Sequence, residues 1–181
     1  MLKVIGAVVA VLVLAGIAVA LLGAQLPVAH VATRSIVLPA PPESVFITIA
    51  DFVSAPTWRS DVKTVLVDAV DSGAPPRFTE VSSSGPLTME VEAFEPPFRL
   101  VTRIVGEGLP FGGAWAYSVQ PEGTGSRVTI TEHGEVYNPV FRFISRFVIG
   151  HTGTLESYLT NLGTRFGAQV TPGDASPVPV R

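Results

Sequence analysis

The residue best suited to do chemistry in this sequence is a carboxylate on the apolar side of a predicted strand. Glu132 shares its strand parity with Val128 and Ile130, so its side chain is expected to point inward. Burial raises the pKa of a carboxyl group, which would make Glu132 a candidate acid, base or hydrogen-bond partner for a ligand. Three structural roles are open to the same residue: capping the helix that begins at Asn138, pairing with an arginine, or lying at a solvated strand end.

A histidine is the second candidate. Apolar residues recur at helical spacing over residues 141–166, and His151 lies on this stripe. It is either a core histidine or a group that faces a cavity. If Glu132 and His151 met across such a cavity, they would form an acid–base or orienting pair. Arg142 and Arg146 lie away from the stripe and indicate a solvated helix face.

Aromatic side chains form a further group of candidates. Trp58, Trp115 and Tyr117 could stack against a flat or polyenic ligand, or they could pack as ordinary core residues. Met89 would fill a gap if it points inward. The candidate ligand-binding residues are Trp58, Met89, Leu100, Trp115, Tyr117, Glu132, Phe141, Ile144, Val148, His151 and Leu155. Among them, only Glu132 and His151 are catalytic candidates.

Several other kinds of site are excluded. His133 and Glu135 share one strand face without a further ligand at metal spacing, and His30 falls in a predicted connector, so no metal site is expected. The chain has no nucleophile elbow and no glycine loop followed by a helix, and no cofactor is expected. A net charge of −3 without a basic stripe argues against nucleic acid binding, and the lack of cysteine removes thiolate chemistry and disulfides.

The amino-terminal segment is strongly apolar. The run from Val4 to Ala24 follows Lys3 and would form a helix about 31 Å long, close to the thickness of a bilayer's hydrocarbon core. We expect residues 1–26 to be an uncleaved, single-pass membrane anchor with its amino terminus in the cytoplasm and the following domain on the exoplasmic side. A cleaved signal peptide is the main alternative, although the small-residue triplet at 18–20 lies inside the apolar run. A buried helix is the other.

The part of the chain after the apolar segment predicts the strands that would position the candidate site residues. After a connector at 27–30, apolar–polar alternation predicts a strand at 31–38, and helical spacing predicts a short amphipathic helix at 45–52. Between residues 63 and 136, strand-like runs are separated by short turn segments such as 71–76. Connections this short join antiparallel strands.

The carboxy-terminal part predicts one long helix and a tail. Asn138 and Pro139 are typical of a helix start, while Gly150 and Gly153 make a kink or break plausible farther along. Residues 169–181, rich in proline and small residues, are expected to be disordered. A sheet with one apolar face and a helix with one apolar stripe would cover each other, which predicts an α+β domain.

Four stretches of the chain match a known family. They are SIVLPAPPESVF at 35–46 with Trp58 after it, FEPPFRL at 94–100, GAWAY at 113–117, and RVTITEHGEV at 127–136 leading into the long helix. On these residues, the segment 31–168 resembles the START-like (SRPBCC) superfamily, the polyketide cyclase/dehydrase and lipid transport group. The resemblance implies a helix-grip fold, in which a curved antiparallel sheet of about six to seven strands wraps around the long helix and leaves a cavity between them.

Function is less specified than fold, because domains of this superfamily bind many hydrophobic ligands and only some are enzymes. Our leading hypothesis is a non-enzymatic, membrane-tethered protein that binds a lipid, isoprenoid or polyketide-like small molecule in the cavity. The second is a polyketide cyclase or dehydratase that uses Glu132 and, if it faces the cavity, His151. The third is a cavity-free interaction module of the cell envelope. Cleavage of the apolar segment would instead favour a freely diffusing carrier.

Overall fold

The computed structural model describes residues 1–68 and 76–180, so the predicted turn at 71–76 falls almost entirely outside the described residues, as does the final residue of the tail. The elements, in chain order, are helix α1 (Leu2–Gln25), strand β1 (Ala29–Leu38), helix α2 (Pro42–Ala50), a 3₁₀ turn (Phe52–Thr57), strands β2 (Val62–Val67), β3 (Arg77–Ser82), β4 (Gly85–Glu95), β5 (Arg99–Ile104), β6 (Phe111–Glu122) and β7 (Gly125–Val136), helix α3 (Pro139–Ile144), a π-helical turn (Ser145–Ile149) and helix α4 (Gly153–Arg165).

The seven strands form one antiparallel sheet in the order β1-β7-β6-β5-β4-β3-β2. Strands β2 to β7 follow one another as a meander, and β1 closes the order by pairing with β7 from Ala29↔Glu135 to Leu38↔Ser126. The register shifts within the β2–β3 and β4–β5 pairs, and such irregularities bend a sheet. The predicted α+β fold with a curved antiparallel sheet is confirmed.

The main core lies between the inner face of the sheet and helices α2 and α4. Its fully buried members include Leu155, Leu159 and Leu162, which lie on one side of α4 at the spacing of an amphipathic helix. Tyr117 and Val119 of β6 are buried on the inner face, and Trp115 packs beside them. The large side chains of β6 at 115, 117 and 119 therefore share one face of the sheet.

Helix α1 is long and apolar enough over Val4–Gln25 to cross a membrane, a property that signal sequences share. Its last turns contact α3. At Gly23 a Cβ atom would lie 1.9 Å from the carbonyl oxygen of Pro139, so only glycine allows this close approach of the two backbones. The Arg142 guanidinium strengthens the contact, because Nη1 donates a hydrogen bond to the Leu26 carbonyl at 2.8 Å.

The carboxy-terminal helix is divided into two parts. Asn138 caps α3 as predicted, with Oδ1 accepting from the amides of Val140 and Phe141. Gly150, at φ 81°, has a backbone conformation that favours glycine, and it separates the π-helical turn from α4. Helix α4 stays on the sheet, whereas α3 packs against α1.

The tail differs from its prediction, because residues 169–180 lie along the outer face of the sheet. Ser35 and Gly173 exchange two backbone hydrogen bonds of 2.9 and 3.0 Å. The Val178 amide donates to Thr131 Oγ1, and the Val178 carbonyl lies 2.8 Å from His133 Nε2. Val178 also packs with Val180 against a small apolar cluster, which comprises Val101, Ala114 and Ala116. The small outward side chains of Ala114 and Ala116 leave room for the tail. The composition of the tail alone does not predict this contact.

Candidate ligand site

Three titratable side chains meet where β1 and β7 approach α4. Glu132 Oε1 lies 3.1 Å from Nε2 of His30, and the His30 ring stacks on the His151 ring with centroids 3.8 Å apart. The imidazole ring of His30 therefore lies between Glu132 and His151. Gly134, opposite His30 in the β1–β7 register, leaves room for this ring, because a Cβ there would lie 2.3 Å from it.

His30 is the member of this cluster that the sequence interpretation missed. Strand β1 begins at Ala29, two residues before the predicted start, and His30 belongs to the strand rather than to a connector. Its parity is that of Ala32 and Ile36, which are buried in the core. Extending the observed alternation backwards by one step would have placed His30 on the inner face.

The electrostatics of the cluster favour a neutral His151. Burial lowers the pKa of His151 below its usual range, and the nearby charges of His30 and Arg146 lower it further, while Glu132 acts in the opposite direction. A neutral imidazole can accept a proton or a hydrogen bond from a ligand at neutral pH.

This lowered pKa predicts a pH dependence of stability. The folded state resists protonation of His151 more than the unfolded state does, so its contribution is present above the ordinary histidine pKa and is lost as pH falls through the folded value. Between about pH 8 and about pH 5, the melting temperature of the wild type should fall more than that of His151→Phe, which keeps a stacked ring. Parallel melting curves across that range would contradict the assignment.

A cleft of about 190 Å³ opens beside the cluster, between the end of α1, β1 and the α3 region. Its apolar walls come from Leu26, Pro27, Val28, Ala29 and Val136. Its polar groups come from His30, Arg142, Ser145, Arg146 and His151. Arg142 is not the solvated residue that the sequence predicts, because it bonds the Leu26 and Tyr137 carbonyls. Its Nε atom is buried and has no hydrogen-bond partner among the described residues.

A second group of predicted residues packs under α4. The Tyr158 ring is the centre, with centroids 5.2 Å from Trp58, 5.9 Å from Trp115 and 5.7 Å from Tyr117. Leu100 and Leu155 are fully buried in the same core, and Met89 packs against it. The indole Nε1 of Trp58 is buried without a hydrogen-bond partner in the part of the chain that the structure describes.

Charged residues that the sequence interpretation did not select lie next to this aromatic group. Arg59 is 5.1 Å from the centroid of the Tyr158 ring and pairs with Asp61 and Glu80. Burial opposes its charge, but hydrogen bonds and the two carboxylates outweigh burial and raise the pKa of Arg59. Burial also raises the pKa of Tyr117 and Tyr158, so both phenols are neutral at physiological pH and are not bases.

The remaining predicted residues do not face the interior. Phe141 and Val148 are exposed, and Ile144 is half-buried, because α3 packs against α1 and the π-helical turn continues from α3. The structure therefore divides the predicted ligand-binding residues into an aromatic core, a histidine–glutamate cluster and an exposed surface.

Solved structures with the same fold share little sequence with this chain. A START superfamily protein from Mycobacterium smegmatis is 17% identical, with 76% of this chain and 97% of that chain covered and a TM-score of 0.61. A protein from Thermobifida fusca is 21% identical, with 76% and 93% covered and a TM-score of 0.59. Norcoclaurine synthase from Thalictrum flavum, in complex with dopamine and hydroxybenzaldehyde, is 10% identical, with 76% and 86% covered and a TM-score of 0.59.

No curated protein sequence matches the chain significantly. The family model described as polyketide cyclase / dehydrase and lipid transport, however, matches residues 29–167. This match begins at the first residue of β1 and ends just after α4, so it covers the sheet and both helices packed on its inner face. The chain belongs to the polyketide cyclase/dehydrase and lipid transport family and has its START-like fold.

Proposed function

We propose that the protein binds a hydrophobic or amphiphilic small molecule beside the exoplasmic face of a membrane, with α1 as its anchor. The observation that carries the proposal is the cleft at the carboxy-terminal end of α1. It combines apolar walls with a few imidazole and guanidinium groups, the composition typical of small-molecule sites. The family also supports the proposal, because its description includes lipid transport, which requires binding of a hydrophobic molecule.

The size and position of the cleft define which part of a ligand it would hold. Its volume of about 190 Å³ is below the roughly 300 Å³ typical of sites for complete drug-sized ligands, so it suits one end of a longer molecule. Three buried donors lack partners among the described residues: Arg142 Nε, Trp58 Nε1 and Asn161 Nδ2. Of these, only Arg142 lines the cleft, so its Nε atom is where a ligand oxygen would bind. Glu132 is opposite Trp115 in the β6–β7 register, so the histidine cluster adjoins the aromatic core.

The anchor supports this function by keeping the site close to its ligand. An apolar helix of 22 residues matches the thickness of the hydrocarbon core, and Lys3 at its start favours a cytoplasmic amino terminus. A tethered site meets membrane-resident molecules at a high effective concentration.

Native mass spectrometry of the full chain in detergent micelles, purified from its own host, tests the proposal. We expect a copurifying lipid-like molecule on the wild type. Val136→Phe should reduce its occupancy about tenfold, because Val136 lines the cleft on the inward parity of Glu132 and a phenyl ring placed there costs about 1–3 kcal/mol of binding. Val37→Phe is the matched control, since it makes the same substitution at an exposed position of the neighbouring strand β1, outside the cleft. A wild-type chain that is always empty, or equal occupancy in both variants, would contradict the proposal.

An acid–base enzyme is the second candidate, favoured by the hydrogen bond that orients His30 against Glu132. Norcoclaurine synthase shares the fold, although that likeness shows the fold alone. The same mass measurement separates the two functions. An enzyme would carry a converted molecule in the wild type and the unconverted molecule in Glu132→Gln, whereas a carrier would hold the same molecule in both.

A further inference from the structure

The most unusual surface outside the cleft is the apolar side of α3 and the π-helical turn. Phe141, Phe147, Val148 and Ile149, here called the α3 apolar surface, are between 55% and 74% exposed. The last three are consecutive in the chain. Four large apolar side chains exposed within one nine-residue segment, 141–149, indicate a site of interaction.

The position of this surface relative to a bilayer follows from its contact with α1. The Pro139 carbonyl touches Gly23, and Arg142 bonds the Leu26 carbonyl. Gly23 lies within the apolar run that ends at Ala24, and a run of this length matches a hydrocarbon core about 30 Å thick. If α1 spans the bilayer, α3 therefore lies at the level where α1 leaves the hydrocarbon.

The charges around the surface fit the same location. The segment from residue 136 to residue 155 contains no aspartate or glutamate, and its arginines are Arg142 and Arg146. Guanidinium groups beside an apolar helix face are typical of interfacial helices, where they bind lipid phosphates while the apolar side chains enter the acyl boundary. Binding of a second protein copy would not explain why this surface lies at the level where α1 leaves the hydrocarbon, or why it adjoins α1.

We propose that Pro139–Ile149 is an interfacial membrane element that inserts the α3 apolar surface into the outer boundary of the bilayer. The inference rests on the proposed role of α1 as an anchor. The exposed Arg146 lies at the level of the lipid phosphates, whereas Arg142 is held by the Leu26 and Tyr137 carbonyls, and both residues line the cleft. The cleft therefore opens toward lipid, and an amphiphilic ligand enters it from the bilayer without crossing bulk water.

Site-directed labelling of the full chain tests this placement, because the sequence has no cysteine of its own. Val148→Cys carries an environment-sensitive fluorophore, and Ser83→Cys in the exposed β3–β4 turn is the control. Both proteins are reconstituted into phosphatidylcholine vesicles that contain phosphatidylglycerol. Two quenchers are compared: aqueous iodide and a lipid with a nitroxide near the head of its acyl chain.

We expect lipid nitroxide to quench the label at position 148, and iodide to quench it several-fold less than the label at position 83. Equal access of iodide to both labels would overturn the inference. Shielding from iodide without quenching by lipid would also overturn it, because a second protein copy would then cover the surface. If α1 integrates while the label at position 148 stays in water, this inference alone fails. If α1 does not integrate, the proposed anchoring fails with it.

Discussion

Replacing Tyr158 with alanine should lower the free energy of unfolding by about 3–5 kcal/mol, the usual cost of removing a large aromatic side chain from a packed core. The Tyr158 ring contacts three other aromatic rings and the Arg59 guanidinium, so its loss removes packing on every side. Urea unfolding of the full chain in detergent micelles, followed by tryptophan fluorescence, measures the effect.

Tyr158→Phe is the matched control for the ring. It keeps the aromatic contacts and the position over which Arg59 lies, so we expect it to retain most of the stability lost in the alanine variant. A loss below about 1 kcal/mol for Tyr158→Ala would mean that the space under α4 is an open chamber rather than a filled core. The result therefore also decides whether this region has room for a ligand.

Glu80→Gln should destabilise the protein by about 3 kcal/mol, because it leaves Arg59 with one carboxylate partner fewer in a desolvated position. The side chains of Arg59 and Glu80 are 11% and 13% exposed. Asp61, which is more exposed, remains as a partner and limits the loss. Chemical unfolding under the same conditions gives the difference from the wild type.

A neighbouring ion pair on the outer face gives a direct comparison. Glu90 pairs with Arg77, whose side chain is mostly exposed, so Glu90→Gln should cost no more than about 1 kcal/mol. The double variant Arg59→Met, Glu80→Leu should recover much of the stability lost in Glu80→Gln, since no unpaired charge is left buried. Equal losses for Glu80→Gln and Glu90→Gln would show that the inner pair is solvated.

Local patterns predicted the parts of the fold that depend on neighbouring residues. Alternation along β7 placed Val128 and Ile130 inside, and the Asn138 side chain caps α3 as its type and position indicated. The same parity argument placed Glu132 on the inner side, where it meets His30. Each of these predictions rests on a periodicity or a cap, which operates within a few residues.

The candidate site was predicted less completely, because its partners come from distant parts of the chain. His30 and Glu132 are 102 residues apart, and the register of β1 against β7 decides that they meet. Arg59 and Glu80 are joined by packing across the 3₁₀ turn and β3, which no local pattern reports. The aromatic candidates Trp58, Trp115 and Tyr117 lie together in the structure, but their common partner, Tyr158, comes from helix α4, and no local pattern links it to them.

By itself, the sequence determined an apolar amino-terminal helix, an antiparallel α+β domain and an inward carboxylate at Glu132, because hydrophobic periodicity and turn chemistry are local properties. Only the tertiary structure decided which groups surround that carboxylate, that the tail covers the outer face of the sheet, and that α3, on the amino-terminal side of the break at Gly150, lies beside α1. These outcomes depend on strand register and on where a surface leaves room for another segment. Both are set by contacts between residues far apart in the chain, and a local pattern carries no record of them.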